Sequence, residues 1–345
     1  MTDFPPRLPR LSMLDLVAVR EGGTVRQALD IAVQTAQKAE ALGFARYWLA
    51  EHHNMAGIAS SATAVLIGHI AAATQRIRVG AGGIMLPNHA PLVVAEAFGT
   101  LAELYPERID LGLGRAPGTD GATMRALRRN RVESEEDFPR DVAELQRLLG
   151  PLDESAAINA TPGAGTHVPI WLLGSSLFSA QLAAAKGLPY AFASHFAPRH
   201  LLQAIALYRQ LYQPSAAHPK PYVVVGIPVV AAPTDEEAEY LASSTQQRVL
   251  GILTGRRGKL PPPVAHFMQH LEPAAQNAIE DFLALAAIGG PERLRQHLTQ
   301  VQELTQADEF MVVTDVFDPA LRLRSLEITA QAWASGTATP AVSTA

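Results

Sequence analysis

Apolar and polar positions fall in blocks along this chain. Short, nearly uninterrupted apolar runs occupy 11–19, 45–50 (ARYWLA), 77–85, 108–113, 169–173, 190–194, 222–231 (YVVVGIPVVA) and 309–314 (EFMVVT). Runs of that kind suit strands covered on both faces. Between them, apolar residues recur three and four apart, the helical period. These stretches predict helices over 24–42, 60–73, 91–104, 136–149, 178–186, 198–212, 291–304 and 319–334. In the first of them Ala28, Ile31, Ala32, Thr35, Ala39 and Leu42 carry the repeat, with Thr24 as N-cap and Gly43 as the stop. Pro91 opens another at the first turn, where its missing N–H costs nothing.

Eight strand–helix units in regular alternation predict an α/β fold of the (β/α)8 TIM-barrel type rather than an open doubly wound sheet. One barrel spans 1–335 in this reading, with an insertion of about 235–288 after the seventh strand. The Ala/Thr/Ser-rich tail at 336–345 is expected to be disordered. Two connections are long, the polar stretch 114–134 after strand four and the insertion, which contains Pro-Pro-Pro at 261–263. Long loops in a compact domain usually serve function. In this fold the residues just past the strand C-termini form the active face.

Composition narrows the class. Of 345 residues 48% are hydrophobic, enough for a large core. No apolar run reaches the roughly 18 residues of a membrane span. The opening MTDFPPRLPRL lacks a secretory pattern, so the cytoplasm is expected. The absence of cysteine excludes disulfides, thiolate metal sites and a catalytic thiol. A net charge of −5 argues against a nucleic-acid binder. The densest basic stretch, 125–131, runs straight into Glu133, Glu135, Glu136 and Asp137 and reads as a solvated face.

Candidate chemistry sits at the predicted strand ends. Strand two ends in Glu51-His52-His53-Asn54. Neighbouring strand residues point to opposite faces, so the two histidines do not easily share a metal, and none is expected. They read either as backbone-bonded structural residues or, for one of them, as an acid/base on the active face. Gly82-Gly83 interrupts strand three, which marks a bulge or a place where a flat ring lies close to the backbone. Gly174-Ser175-Ser176 leads into a helix, either as an N-cap or as an anion site. Arg115, after strand four, reads as a surface ion pair or as a phosphate clamp.

Taken in order, ARYWLAEHHN (45–54), IRVGAGGIMLPNHAPLVVAE (77–96) and ERIDLGLGRAPGTD (107–120) resemble the bacterial-luciferase-like flavin-dependent monooxygenases. The likeness is nearest to a branch carrying the GRAPGTD loop, and covers 10–230 and 285–330. It implies a TIM barrel that binds FMN at its C-terminal face, with reduced FMN arriving as a cosubstrate from an NAD(P)H-flavin reductase. It further implies a non-proline cis peptide at Gly82-Gly83, His52 as the catalytic histidine, and phosphate contacts at Arg115, Gly174, Ser175, Ser176 and Arg140. Reduced FMN and O2 would form a C4a-(hydro)peroxide that oxygenates a small organic substrate, with 235–288 acting as a lid. A homodimer is expected. Gly114 and Gly174 stand where luciferases carry a cysteine and an acidic residue, which argues for a non-luminescent enzyme. Two other readings stay open. One is hydride transfer with deazaflavin F420, whose anionic tail would use the 125–131 basic group. The other is a non-catalytic flavin binder.

Overall fold

The computed structural model describes residues 8–116, 121–127 and 137–335. The tail at 336–345, most of the 125–131 group and the 117–120 part of the GR loop lie outside the described residues.

Eight parallel strands close a barrel: β1 (Arg10–Asp15), β2 (Arg46–Leu49), β3 (Arg78–Met85), β4 (Ile109–Gly114), β5 (Ile170–Gly174), β6 (Tyr190–Phe192), β7 (Val223–Ala231) and β9 (Glu309–Val313). Their order is β6-β5-β4-β3-β2-β1-β9-β7, and the β6–β7 pairing completes the circle. The TIM-barrel expectation is met. A ninth strand, β8 (Ala287–Gly289), was not anticipated from the pattern. It adds to the C-terminal end of β7 through Val229↔Ala287 and Ala231↔Gly289. At three residues it is too short to show a period.

The helices pack outside the barrel: α1 (Val25–Ala41), α2 (Thr63–Ala72), α3 (Pro91–Leu104), α5 (Asp137–Leu149), α6 (Leu177–Ala185), α7 (Leu201–Leu211), α10 (Pro291–Thr305) and α11 (Pro319–Ala334). In α1 Thr24 and Gln27 form a capping box, and Gly43 takes φ +80° past its end. A short helix α4 (Gly121–Leu127) lies in the stretch read as a polar loop. The β7–β9 connection holds α8 (Asp235–Leu253) and α9 (Pro273–Phe282) as well as β8.

Several boundaries differ for local reasons. The first strand stops at Asp15 rather than Val19, because the Asp15 carboxylate accepts the Val17 N–H at 2.8 Å and Val17 turns to φ 52°. The helix expected from 198 begins as a 3-10 turn, Pro198–His200, before α7.

Two buried ionic networks brace the barrel. Arg46 donates to Asp110 at 2.7 Å and to Glu309 at 3.1 Å. Its guanidinium lies 4.3 Å from the Trp171 ring centroid. Asp110 also accepts from Arg78 and from the Trp48 indole, and Glu309 accepts from the Tyr222 hydroxyl. Arg46, Arg78 and Glu309 open β2, β3 and β9, and Asp110 is second in β4, so the charges form a floor below the C-terminal cavity. On the wall, Asp15 pairs with Arg322 at 2.9 Å and also accepts from the Tyr47 hydroxyl. Such groups are tolerated in the interior only because every charge has a partner.

Candidate active site

A cavity of about 1240 Å³ opens at the C-terminal ends of the strands, where barrel sites lie. His52, Gly82, Gly83, Arg115, Gly174, Ser175 and Ser176 all line it. Arg140 does not. It stands on the outer face of α5 and pairs with Asp137 at 2.5 Å. Its side chain is 62% exposed. Of the sequence-derived candidates, Arg140 alone is not brought to the cavity.

The two adjacent histidines lie just past the end of β2 and point to different sides. His52 faces the cavity, whereas His53 turns with Glu51 to the other side. There His53 Nε2 donates to Glu51 Oε1 at 2.7 Å and His89 Nε2 to the same oxygen at 2.8 Å. Glu51 Oε2 accepts the Met85 N–H at 3.1 Å. Burial would raise the Glu51 carboxyl, but these donors outweigh it and hold the group below the usual range. Ligand atoms of Glu51, His53 and His89 lie close enough together to hold a metal ion. Their short N···O separations are those of hydrogen bonds, and they tie the end of β2 to the turn after β3.

Between Gly82 and Gly83 the peptide is cis, and the β3–β4 register shifts between Ala81 and Ile84. The space that a side chain would take at either glycine is already filled. A Cβ on Gly82 would stand 2.7 Å from Leu14 Cδ1 and 3.0 Å from Trp48 Cβ. One on Gly83 would stand 2.7 Å from the Gly112 carbonyl oxygen. Glycine is thus required by close packing, and the bulged backbone lines the cavity together with Leu14 and Trp48.

The third group surrounds the N-terminus of α6. Ser176 is its N-cap residue, yet its side chain makes no cap hydrogen bond. Among the described residues the first-turn N–H groups therefore have no side-chain acceptor, and they sit at the positive end of the helix. The Arg115 guanidinium lies 4.3 Å from the ring centroid of Phe178 in that same first turn. Cation, hydroxyls and free N–H groups thus converge at one place. Gly174 serves packing, since a Cβ there would meet Ser179 Oγ at 2.2 Å.

Two contributions went unread in the sequence. His195, just past β6, also lines the cavity. It obeys the same strand-end rule that singled out His52, so a signal existed. The second is the set of side chains by which the β7–β9 connection, expected as a lid, reaches the cavity. Arg256, Arg257, Lys259 and Phe267 line the cavity from it. It is held to the loops after β1 and β2: Leu260 N–H donates to Val19 O at 2.9 Å, and Lys259 Nζ to Gly23 O at 3.1 Å. At Gly57 the backbone of Gly258 comes so near that a Cβ would stand 2.0 Å from its oxygen.

The sequence profile of the luciferase-like monooxygenases matches residues 10–308. The luciferase-like monooxygenase of Escherichia coli K12 is 50% identical over 317 residues, covering 92% of this chain and 95% of that protein. Among solved structures, apo-MsnO8 superposes with a TM-score of 0.85 at 34% identity, over 95% of this chain and 99% of that one. At 16% identity and TM-score 0.72, over 97% and 100% of the two chains, the fold is shared with the FMN-bound oxygenating constituent of 3,6-diketocamphane monooxygenase from Pseudomonas putida. It is shared equally with an F420-dependent secondary alcohol dehydrogenase, at 14% identity and TM-score 0.68, over 95% and 99%. With a profile match over most of its length and a relative at half identity, this chain belongs to the luciferase-like monooxygenase family.

Proposed function

We propose that the protein is an FMN-dependent monooxygenase that takes reduced FMN from a separate NAD(P)H-flavin reductase and oxygenates a small organic substrate without light emission. One observation carries this reading. A histidine, a bulged strand and an anion-binding corner converge on a single cavity in a chain of this family.

The residues fit the cofactor. A phosphate needs donors and positive charge, and the α6 N-terminus with Ser175, Ser176 and Arg115 supplies both. A flat ring system needs an apolar wall, and Trp48, Leu173 and the Gly82-Gly83 backbone line the same cavity. Bound reduced flavin would supply the electrons that activate O2, one oxygen atom passing to the substrate and the other leaving as water.

The protein's own part is positioning and proton control. Arg115 and the α6 first turn fix the phosphate, and so set where the ring lies. His52 is the acid/base of the site, taking and returning a proton at its imidazole nitrogen beside the ring. The α8 C-terminal end and the 254–261 loop screen the ring from water, which gives the insertion its role as lid. The Gly114 backbone against Met85, in place of a cysteine, belongs with dark chemistry.

The test is titration with FMN, then aerobic turnover of a substrate panel with a flavin reductase and NADH. The expected outcome is FMN binding and substrate-dependent oxygenation, with His52→Ala keeping the first and losing about 10²–10⁴-fold of the second. Tighter binding of F420 than of FMN would move the protein to hydride transfer. Arg256, Arg257 and Lys259 line the cavity and are cations such a tail would meet. FMN binding with no turnover would leave a flavin-binding protein.

A further inference from the structure

His195 meets the cavity with one edge of its ring and the barrel wall with the other. On the wall side Nδ1 is sealed from solvent and has no hydrogen-bond partner among the described residues. It faces Gly226 on β7, so closely that a Cβ at Gly226 would stand 2.5 Å from Nδ1. The Gly226 carbonyl is already taken by the Ser194 hydroxyl at 2.6 Å. Phe196 packs edge-on against the ring at a centroid distance of 4.9 Å. Nδ1 is sealed against Gly226 while the residue lines the cavity, so the opposite edge of the ring, which bears Nε2, is the one open to it.

This packing selects a protonation state. An Nδ1–H would be a buried donor with no acceptor, driven against the Gly226 C–H. A lone pair at Nδ1 tolerates that C–H. The imidazolium carries the same Nδ1–H and is disfavoured for the same reason. What remains is the neutral ring with its proton on Nε2, a donor without net charge.

We propose that His195 is a second functional histidine, whose Nε2–H donates a hydrogen bond to an oxygen acceptor of the flavin ring. This rests on the flavin reading given above. The two histidines then divide the work: His52 moves protons, and His195 holds the ring and does not titrate in the working range. Burial first, and then the neighbouring His52 charge, push its pKa down to about 4, in keeping with a ring neutral at physiological pH.

Two measurements test this. Imidazole ¹⁵N shifts of His195 in the free protein, followed from pH 5 to 8, read the tautomer independently of any flavin. A neutral, Nε2-protonated ring throughout is expected; an Nδ1–H ring, or one cationic at pH 6, overturns the proposal. FMN titration then compares His195→Phe with His195→Gln, whose amide N–H reaches the place of Nε2. Phe should weaken FMN binding about three- to tenfold, the worth of one neutral hydrogen bond, and Gln should recover most of it. Equal binding by all three forms, or Gln no better than Phe, overturns the assignment. If no form binds FMN, the flavin reading falls and takes the acceptor named here with it, whereas failure of the donor alone leaves wild-type FMN binding intact.

Discussion

The Cα of Gly83 faces the carbonyl of Gly112 on the neighbouring strand, and a Cβ at Gly83 would stand 2.7 Å from that oxygen and 2.9 Å from its carbon. Both obstacles are backbone in the middle of the barrel and cannot swing aside. At Gly82 the nearest obstacle is the tip of the Leu14 side chain, which can. Gly83→Ala should therefore cost about 1–3 kcal/mol of stability and shift the bulge, whereas Gly82→Ala should cost less. Urea denaturation checks the order. Equal midpoints for the two variants would remove the Gly112 contact as the cause.

At the α6 corner, Arg115 is the cation placed to meet a phosphate, and Arg140 is turned away on α5. Arg115→Ala should weaken FMN by about ten- to a hundredfold, the range for a hydrogen bond to a charged group. It should leave riboflavin, which has no phosphate, unchanged. Arg140→Ala should change neither. Fluorescence titration with both flavins decides, and an equal loss for riboflavin would place Arg115 elsewhere.

Beneath the cavity, Arg46 joins two buried carboxylates. Removing it as Arg46→Met leaves Asp110 with Arg78 but Glu309 with only the Tyr222 hydroxyl. An uncompensated buried charge should cost about 3–5 kcal/mol. The double variant Arg46→Met/Glu309→Leu removes that charge and should be more stable than the single one. Denaturation midpoints measure both, and a double variant weaker than the single would refute the charge argument.

Acid should destabilise the protein well above the carboxylate range. His195 has its folded pKa pushed down to about 4 from an ordinary 6.5, by burial and then by His52. Between these values the unfolded chain binds the proton and the folded one does not, so stability falls as pH drops from 6.5 toward 4. The loss is at most about 3 kcal/mol, reduced because the cavity leaves the ring partly accessible. Asp15 adds a second loss at lower pH. Burial would raise it, but the Arg322 ion pair and the Tyr47 and Val17 hydrogen bonds hold it low, and its stabilisation disappears as it protonates. His195→Gln should flatten the fall between pH 6.5 and 4 and leave the lower one. An unchanged profile in that variant would assign the upper fall to another group.

Much of this architecture was readable before any contact was known. Buried parallel strands leave unbroken apolar runs and surface helices leave a period of three and four, so eight units and their order follow from short-range pattern. The expectation that His52 and His53 point to opposite sides also holds, although both lie just past the end of β2. A strand end also marks the active face, which is why His52, Arg115 and the Gly174–Ser176 turn could be named together.

What the chain alone could not decide depends on closure. Barrel closure brings Arg46, Asp110 and Glu309 together across 263 positions of sequence between the first and last, and no local period records such a meeting. The same closure sets Glu51 between His53 and His89, and buries His195 Nδ1 against Gly226. Arg140 went the other way, since helix α5 turned it to solvent. The insertion has no period that says where it docks; hydrogen bonds to Val19 and Gly23 place it over the cavity. Sequence specified the elements and the face, because those are set by neighbours along the chain. The partners of each charge, and the protonation that follows, were decided by packing between residues far apart in it.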